Sequence, residues 1–190
     1  MKLLITGFEP FGGDDINPSN VIAEKCSGTN RVIFILPVSY QKTKDAFLKI
    51  VEEEKPDYIL DLGLNASSES IHIEKYAYNL MSAKKPDNDG TYKNEEAIIP
   101  GAKERLSSLV DTALISTLCQ AQGIKCVESE DPGRYICNMT YYLALSSKAK
   151  AALFVHLPKF SNMSSENMVS AVNIAIEVLT SGKCDSNNNI

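Results

Sequence analysis

With 190 residues, 44% of them hydrophobic and 23% charged, the chain is long enough to bury one sizeable core, and a single domain over residues 1–180 is expected. A net charge of −5 without a basic stripe argues against a nucleic-acid partner, and no apolar run is long enough to span a membrane. Five cysteines without CxxC or paired spacing argue against a disulfide framework or a zinc site, and the opening residues lead into glycines and prolines rather than a cleavage pattern, so a cytosolic chain with reduced thiols is expected.

Strand and helix patterns alternate along the chain. Lys2 to Thr6 and Arg31 to Leu36 read as short buried strands. Between them Asn17-Pro18-Ser19 has the pattern of an N-cap followed by proline at the first helical position, which starts a helix running to Lys25. Ser39 to Glu54 is a second helix, with Ala46, Phe47, Ile50 and Val51 on one face, and Pro56 stops it before a third strand, Asp57 to Gly63. Glu69 to Asn79 suggests an inserted strand pair, in which period-two alternation puts Ile71 and Ile73 on one face and His72 and Glu74 on the other. Leu106, Leu109, Val110, Ala113, Leu114, Thr117, Leu118 and Ala121 mark one stripe of a long helix that Gly123 ends. Lys125 to Ser129 then reads as strand, Tyr135 to Ser146 as helix, Ala151 to Leu157 as strand and Ser164 to Leu179 as a capped final helix, before a polar, Asn-rich tail, Ser181 to Ile190, expected to be disordered. The alternation predicts a three-layer α/β/α sandwich with a mainly parallel twisted sheet, whose functional residues gather beyond the C-terminal ends of strands.

Two reactive side chains fall where chemistry is commonly held. Cys137, in Gly133-Arg134-Tyr135-Ile136-Cys137-Asn138, lies where a turn opens a helix, so the positive end of the helix dipole favours its thiolate. His156 stands near the end of the following strand, as a base for that thiol. Cys is among the most buried residue types, a His ending a buried strand is commonly structural, and Glu74 beside Lys75 fits a solvated strand face as well as a partner for an imidazole, so spacing alone leaves both readings open.

Taken together the blocks resemble pyroglutamyl peptidase I, a family of cysteine peptidases that remove an N-terminal 5-oxoproline. The resemblance rests on Leu4 to Gly13 followed by Asn17-Pro18-Ser19, on Leu36-Pro37-Val38, on Ile71-His72-Ile73-Glu74 with Ala77 and Asn79, on Pro86 to Gly90, on Gly133 to Asn138 and on Phe154 to Pro158, in family order over almost the whole chain. It implies a triad in which Cys137 is the nucleophile, His156 the general base and then acid, and Glu74 the group that orients the imidazole, with no metal or organic cofactor. It also implies a lactam pocket lined by Phe8, Phe11 and Tyr135; ordinary core packing is the competing reading of the two phenylalanines. The implied partners are peptides with N-terminal pyroglutamate, and the resemblance leaves room for a homo-oligomer, since the family includes tetramers and monomers.

Some positions depart from the family. Gly63-Leu64-Asn65-Ala66-Ser67-Ser68 lacks two glycines and an arginine of the usual stretch, so a positive φ at Ser67 would be strained. The arginine associated with the oxyanion is matched by Lys84, which keeps the charge and loses the planar fork, and Lys85 takes a position that is commonly apolar, either facing the pocket or snorkelling to solvent. These departures keep a second function in play: a catalytically weak member that binds N-terminally blocked peptides or a small lactam.

Overall fold

The computed structural model describes residues 1–181, so the expected tail beyond Ser181, including Cys184, lies outside the described residues. In chain order the elements are β1 (Leu3–Phe8), α1 (Pro18–Lys25), β2 (Arg31–Leu36), α2 (Tyr40–Glu54), β3 (Tyr58–Leu64), β4 (Ile71–Glu74), β5 (Tyr76–Tyr78), β6 (Arg105–Ser107), α3 (Thr112–Ala121), β7 (Cys126–Ser129), α4 (Ile136–Leu145), β8 (Ala151–Leu157) and α5 (Ser165–Thr180). Six strands form one sheet in the order β2-β1-β3-β8-β4-β7, and every pairing in it is parallel except that of β4 with β8. Its faces carry separate cores. Leu60, Leu62, Leu153 and Val155 pack with residues of α1, α3 and α5, while Leu4, Ile59, Ala152 and Phe154 pack with residues of α2 and α4. The expected α/β/α sandwich is therefore present, with strand alternation assigning each residue to one helical layer.

Local chemistry sets the helix starts. Asn17, Ser39, Asp111 and Ser164 each accept a hydrogen bond from a first-turn amide of α1, α2, α3 and α5 respectively. α1 lies so close to β1 that a Cβ on Gly7 would sit 2.6 Å from the Ser19 carbonyl oxygen, which restricts this position to glycine. Ser19 Oγ accepts from the Phe8 amide at 3.0 Å, and Asn17 Nδ2 donates to the Glu9 carbonyl at 3.0 Å, so the loop after β1 is tied to the start of α1.

Two expectations need correction. Residues 69–79 do not pair with each other: β4 joins the main sheet between β8 and β7, and β5 pairs antiparallel with β6 in a separate two-stranded sheet. A strand pair does stand outside the main sheet, but its second strand comes from Arg105–Ser107, where a helix was expected. α3 begins at Thr112 behind its Asp111 cap, and its buried face is Thr112, Ile115, Ser116 and Cys119 rather than the stripe containing Leu109 and Leu118, which are exposed. The hydroxyls made the difference: Thr112 Oγ1 donates to Glu128 Oε2 at 2.5 Å and Ser116 Oγ to the Cys126 carbonyl at 3.0 Å, so these polar side chains are satisfied facing β7.

β5 is held to α4 by one buried side chain. Asn138 accepts from the Tyr78 amide at 2.8 Å and donates to the carbonyls of Tyr78 and Leu80 at 2.8 and 2.9 Å. Asn138→Ala removes this partner from the Tyr78 amide and the Leu80 carbonyl, while the Tyr78 carbonyl still accepts from the Leu80 amide at 2.8 Å, and unfolding in urea is expected to show a loss of about 2–4 kcal/mol. An unchanged midpoint and slope would show that water replaces the side chain at no cost.

Candidate active site

Gly63 at the end of β3 and His156 near the end of β8 are neighbours across a parallel pair. Alternation turns Ile59, Asp61 and Gly63, with Ala152, Phe154 and His156, toward the layer of α2 and α4. The first turn of α4 crosses this point. A Cβ on Gly63 would stand 2.9 Å from Cys137 Sγ and 2.7 Å from Phe154 Cζ, so the side chain that glycine lacks is the space the sulfur and the ring occupy.

β4 supplies the third group. It pairs antiparallel with β8, setting His72 opposite His156 and Glu74 opposite Phe154, and the longer Glu74 side chain reaches diagonally to the imidazole. Glu74 Oε1 is 2.8 Å from His156 Nδ1, with both residues buried. Tyr141 Oη donates to the Glu74 carbonyl at 2.7 Å, anchoring the residue, and the Phe154 ring lies against the imidazole with centroids 4.6 Å apart. Burial disfavours the charged imidazole, yet the hydrogen bonds and charges of Cys137 and Glu74 outweigh it and push His156 up to about 10. With Nδ1 committed to Glu74, the ring's other nitrogen is the one left for Cys137. His72 is diverted elsewhere: its Nε2 lies 2.9 Å from Ser68 Oγ, and burial pushes its pKa down.

Donors for a developing negative charge stand beside the sulfur. α4 starts at Tyr135 with no side-chain cap, whereas the other four helices are capped, so its first amides are free to receive an external oxygen.

These groups open on a cavity of about 580 Å³ lined by Glu74, Cys137 and His156 together with Phe8, Phe11 and Tyr135. Its aromatic wall is fixed. Tyr135 meets Tyr40 edge-on at 5.5 Å, lies 6.4 Å from the Phe11 ring, and donates from Oη to the Pro86 carbonyl at 2.9 Å. Lys85 also lines this cavity, but Lys84 does not; Lys84 lies in an adjoining groove of about 420 Å³. The loop after β3 carries no strain at Ser67. Among the described residues the positive-φ positions other than glycine are Asn30, Lys55 and Glu95, and Asn65 Oδ1 closes the loop by accepting from Ser67 N and Oγ at 3.3 and 2.8 Å. Among the described residues no group of three His, Cys, Asp or Glu side chains is arranged to hold a metal ion.

Several supporting residues escaped the sequence reading. Gly63 had a signal, a glycine inside a strand where something approaches closely, but the approaching atom comes from a helix far along the chain. Asn138 and Phe154 stood inside the blocks that carry the resemblance but were given no role, and Tyr141 had no signal, because apolar neighbours hide which side chains of α4 turn inward.

Comparison with known proteins gives one consistent result. The family model described as pyroglutamyl peptidase matches residues 1–181. The pyrrolidone-carboxylate peptidase of Pyrococcus furiosus is 35% identical, with 94% of this chain and 97% of the relative covered. That of Fusobacterium nucleatum is 31% identical over 97% of this chain and 95% of the relative. Among solved structures, a variant of the Pyrococcus furiosus pyrrolidone carboxyl peptidase superposes with a TM-score of 0.89 at 34% identity, covering 94% and 98% of the two chains. The Thermococcus litoralis pyrrolidone carboxyl peptidase gives 0.88 at 29% identity, covering 94% and 92%.

The chain has two histidines, so both rings can be followed by NMR as the pH is varied. His156 is expected to titrate far above His72, and Glu74→Gln to lower the His156 midpoint by about one to three pH units, the effect of losing an adjacent opposite charge. A His156 midpoint that Glu74→Gln leaves in place would mean that the carboxylate does not set its charge.

Proposed function

Because the chain belongs to the pyroglutamyl peptidase family, we propose that it is a cysteine exopeptidase that removes an N-terminal pyroglutamyl residue from peptides, with Cys137, His156 and Glu74 as its catalytic groups. The observation that carries this reading is the convergence of the three on one cavity, with the imidazole hydrogen-bonded to a buried carboxylate and its pKa raised by Cys137 and Glu74.

In this mechanism the Cys137 thiolate attacks the pyroglutamyl carbonyl carbon, and the carbonyl π-electrons move to oxygen. The oxyanion is received by the uncapped amides at the start of α4; one such donor is typically worth about 2.7–4 kcal/mol in the transition state. As the tetrahedral species collapses, the C–N bond breaks and the departing amine takes the imidazolium proton, leaving a thioester on Cys137. Neutral His156 then takes a proton from water, whose oxygen attacks the thioester; the C–S bond breaks, pyroglutamate departs, and the Cys137 thiolate is left beside the imidazolium as at the start. Glu74 keeps Nδ1 protonated and offsets the ring's charge throughout. No cofactor enters any step.

Specificity follows from the walls. Phe8, Phe11 and Tyr135 offer flat apolar surface to a small, uncharged ring. Binding without turnover, the competing reading, drew part of its force from strain expected at Ser67, and that residue sits in an ordinary side-chain-closed turn. Four free cysteines among the described residues fit the reducing cytosol expected for such an enzyme.

Reduced protein is expected to release the fluorophore from an L-pyroglutamyl arylamide and not from the L-prolyl analogue, and Cys137→Ala to lower turnover by about 10⁴-fold or more. Folded wild-type protein without turnover would sink the reading. Gly63→Ala pushes the sulfur and the Phe154 ring apart, and kcat/KM is expected to fall about 10²-fold, the scale for a misplacement of about 1 Å. A rate unchanged in Gly63→Ala would mean that the sulfur's position is not held by this contact.

A further inference from the structure

The charges around the cavity are nearly all committed. Asp14 is paired with Lys159 at 2.9 Å, Asp131 with Arg134, and Glu74 with His156 at 2.8 Å. Lys85 is the exception: it lines the cavity, is exposed, and has no ion-pair or hydrogen-bond partner among the described residues. Lys84, next to it, is also exposed and unpartnered among the described residues, and it lines the adjoining groove. The groove's carboxylate, Asp87, is buried and already accepts from the amides of Tyr40, Asp89 and Thr91 at 2.8, 3.0 and 2.8 Å. Two free ammonium groups therefore stand against one carboxylate that is held by backbone donors.

The two spaces are continuous. Both are lined by Phe11, Gly12, Tyr135 and Lys85, so Lys85 stands on the lip between the cavity holding Cys137 and the groove. A pyroglutamyl group bound at Cys137 is neutral and offers Lys85 nothing to pair with. The chain that follows the scissile bond has to leave the cavity, and the lip leads into a groove with excess positive charge. We propose that Lys85, backed by Lys84, forms a subsite for an acidic side chain at the residue following the pyroglutamyl group. This rests on the peptidase reading and specifies its substrate class: N-terminally blocked peptides with Glu or Asp in second place.

An exposed cation at a rim acts mainly through long-range attraction, which salt screens, and contributes modestly. The test compares kcat/KM for two isosteric substrates, L-pyroglutamyl-L-glutamate amide and L-pyroglutamyl-L-glutamine amide, which differ in charge alone. At low ionic strength the wild-type ratio is expected to be about fivefold in favour of glutamate. It should fall toward one in roughly 0.5 M NaCl, and toward one again in Lys85→Gln. A wild-type ratio at or below one, with both substrates cleaved, overturns the subsite and leaves the peptidase standing. A Lys85→Gln variant that slows both substrates equally and keeps the ratio also overturns it, because the lysine would then serve the reacting centre. Cleavage of neither substrate overturns the peptidase reading and the subsite together.

Discussion

One hydrogen bond between two buried groups organises this molecule, the one joining Glu74 to His156. An isolated carboxylate or imidazolium in an apolar interior is costly, and the cost is offset only when the partners are held in register. Here the register comes from the sheet. The one antiparallel pairing in an otherwise parallel sheet places β4 alongside β8, so the acid and the ring belong to adjacent strands and not to loops. Their separation is then fixed by backbone ladders, while Tyr141 anchors the main chain of Glu74 and the Phe154 ring flanks the imidazole. Sites built on rigid elements keep their geometry better than sites built on loops.

The sulfur is held differently. It arrives on a helix, and helix and sheet can approach closely only because β3 offers no side chain at Gly63. Asn138, one residue after Cys137, binds both backbone polar groups of Tyr78 and so couples the first turn of α4 to the segment leaving Glu74. Cys137 and Glu74 are thus joined by a short path of hydrogen-bonded backbone as well as through the imidazole.

The sequence was legible where a local rule governs. Asn17-Pro18, Ser39 and Ser164 announce their helices through capping chemistry, and strand alternation alone put Glu74 on the face opposite Ile71 and Ile73. It was misleading where tertiary satisfaction overrides polarity. Ser116 and Thr112 are buried because their hydroxyls find partners across the layer, and Leu109 and Leu118 are left outside. It was silent on long-range pairing: nothing local shows that Tyr76–Tyr78 waits for Arg105–Ser107, or that β4 runs against β8. For the site, Glu74, Cys137 and His156 were readable as candidates from family blocks, and the space around them was not, because a contact between Gly63 and Cys137 is a property of packing.

Helix α4 carries a further consequence. Four helices begin with a side chain that occupies the first turn, and the fifth begins bare at Tyr135. A capping Asp or Ser there would stabilise an isolated helix by about 1 kcal/mol, and would also fill the place where the proposed mechanism receives a reacting oxygen. The protein thus forgoes an easy gain in stability at the point where its fold is joined to its chemistry. Attempts to make it hardier by consensus capping should therefore leave this one helix alone.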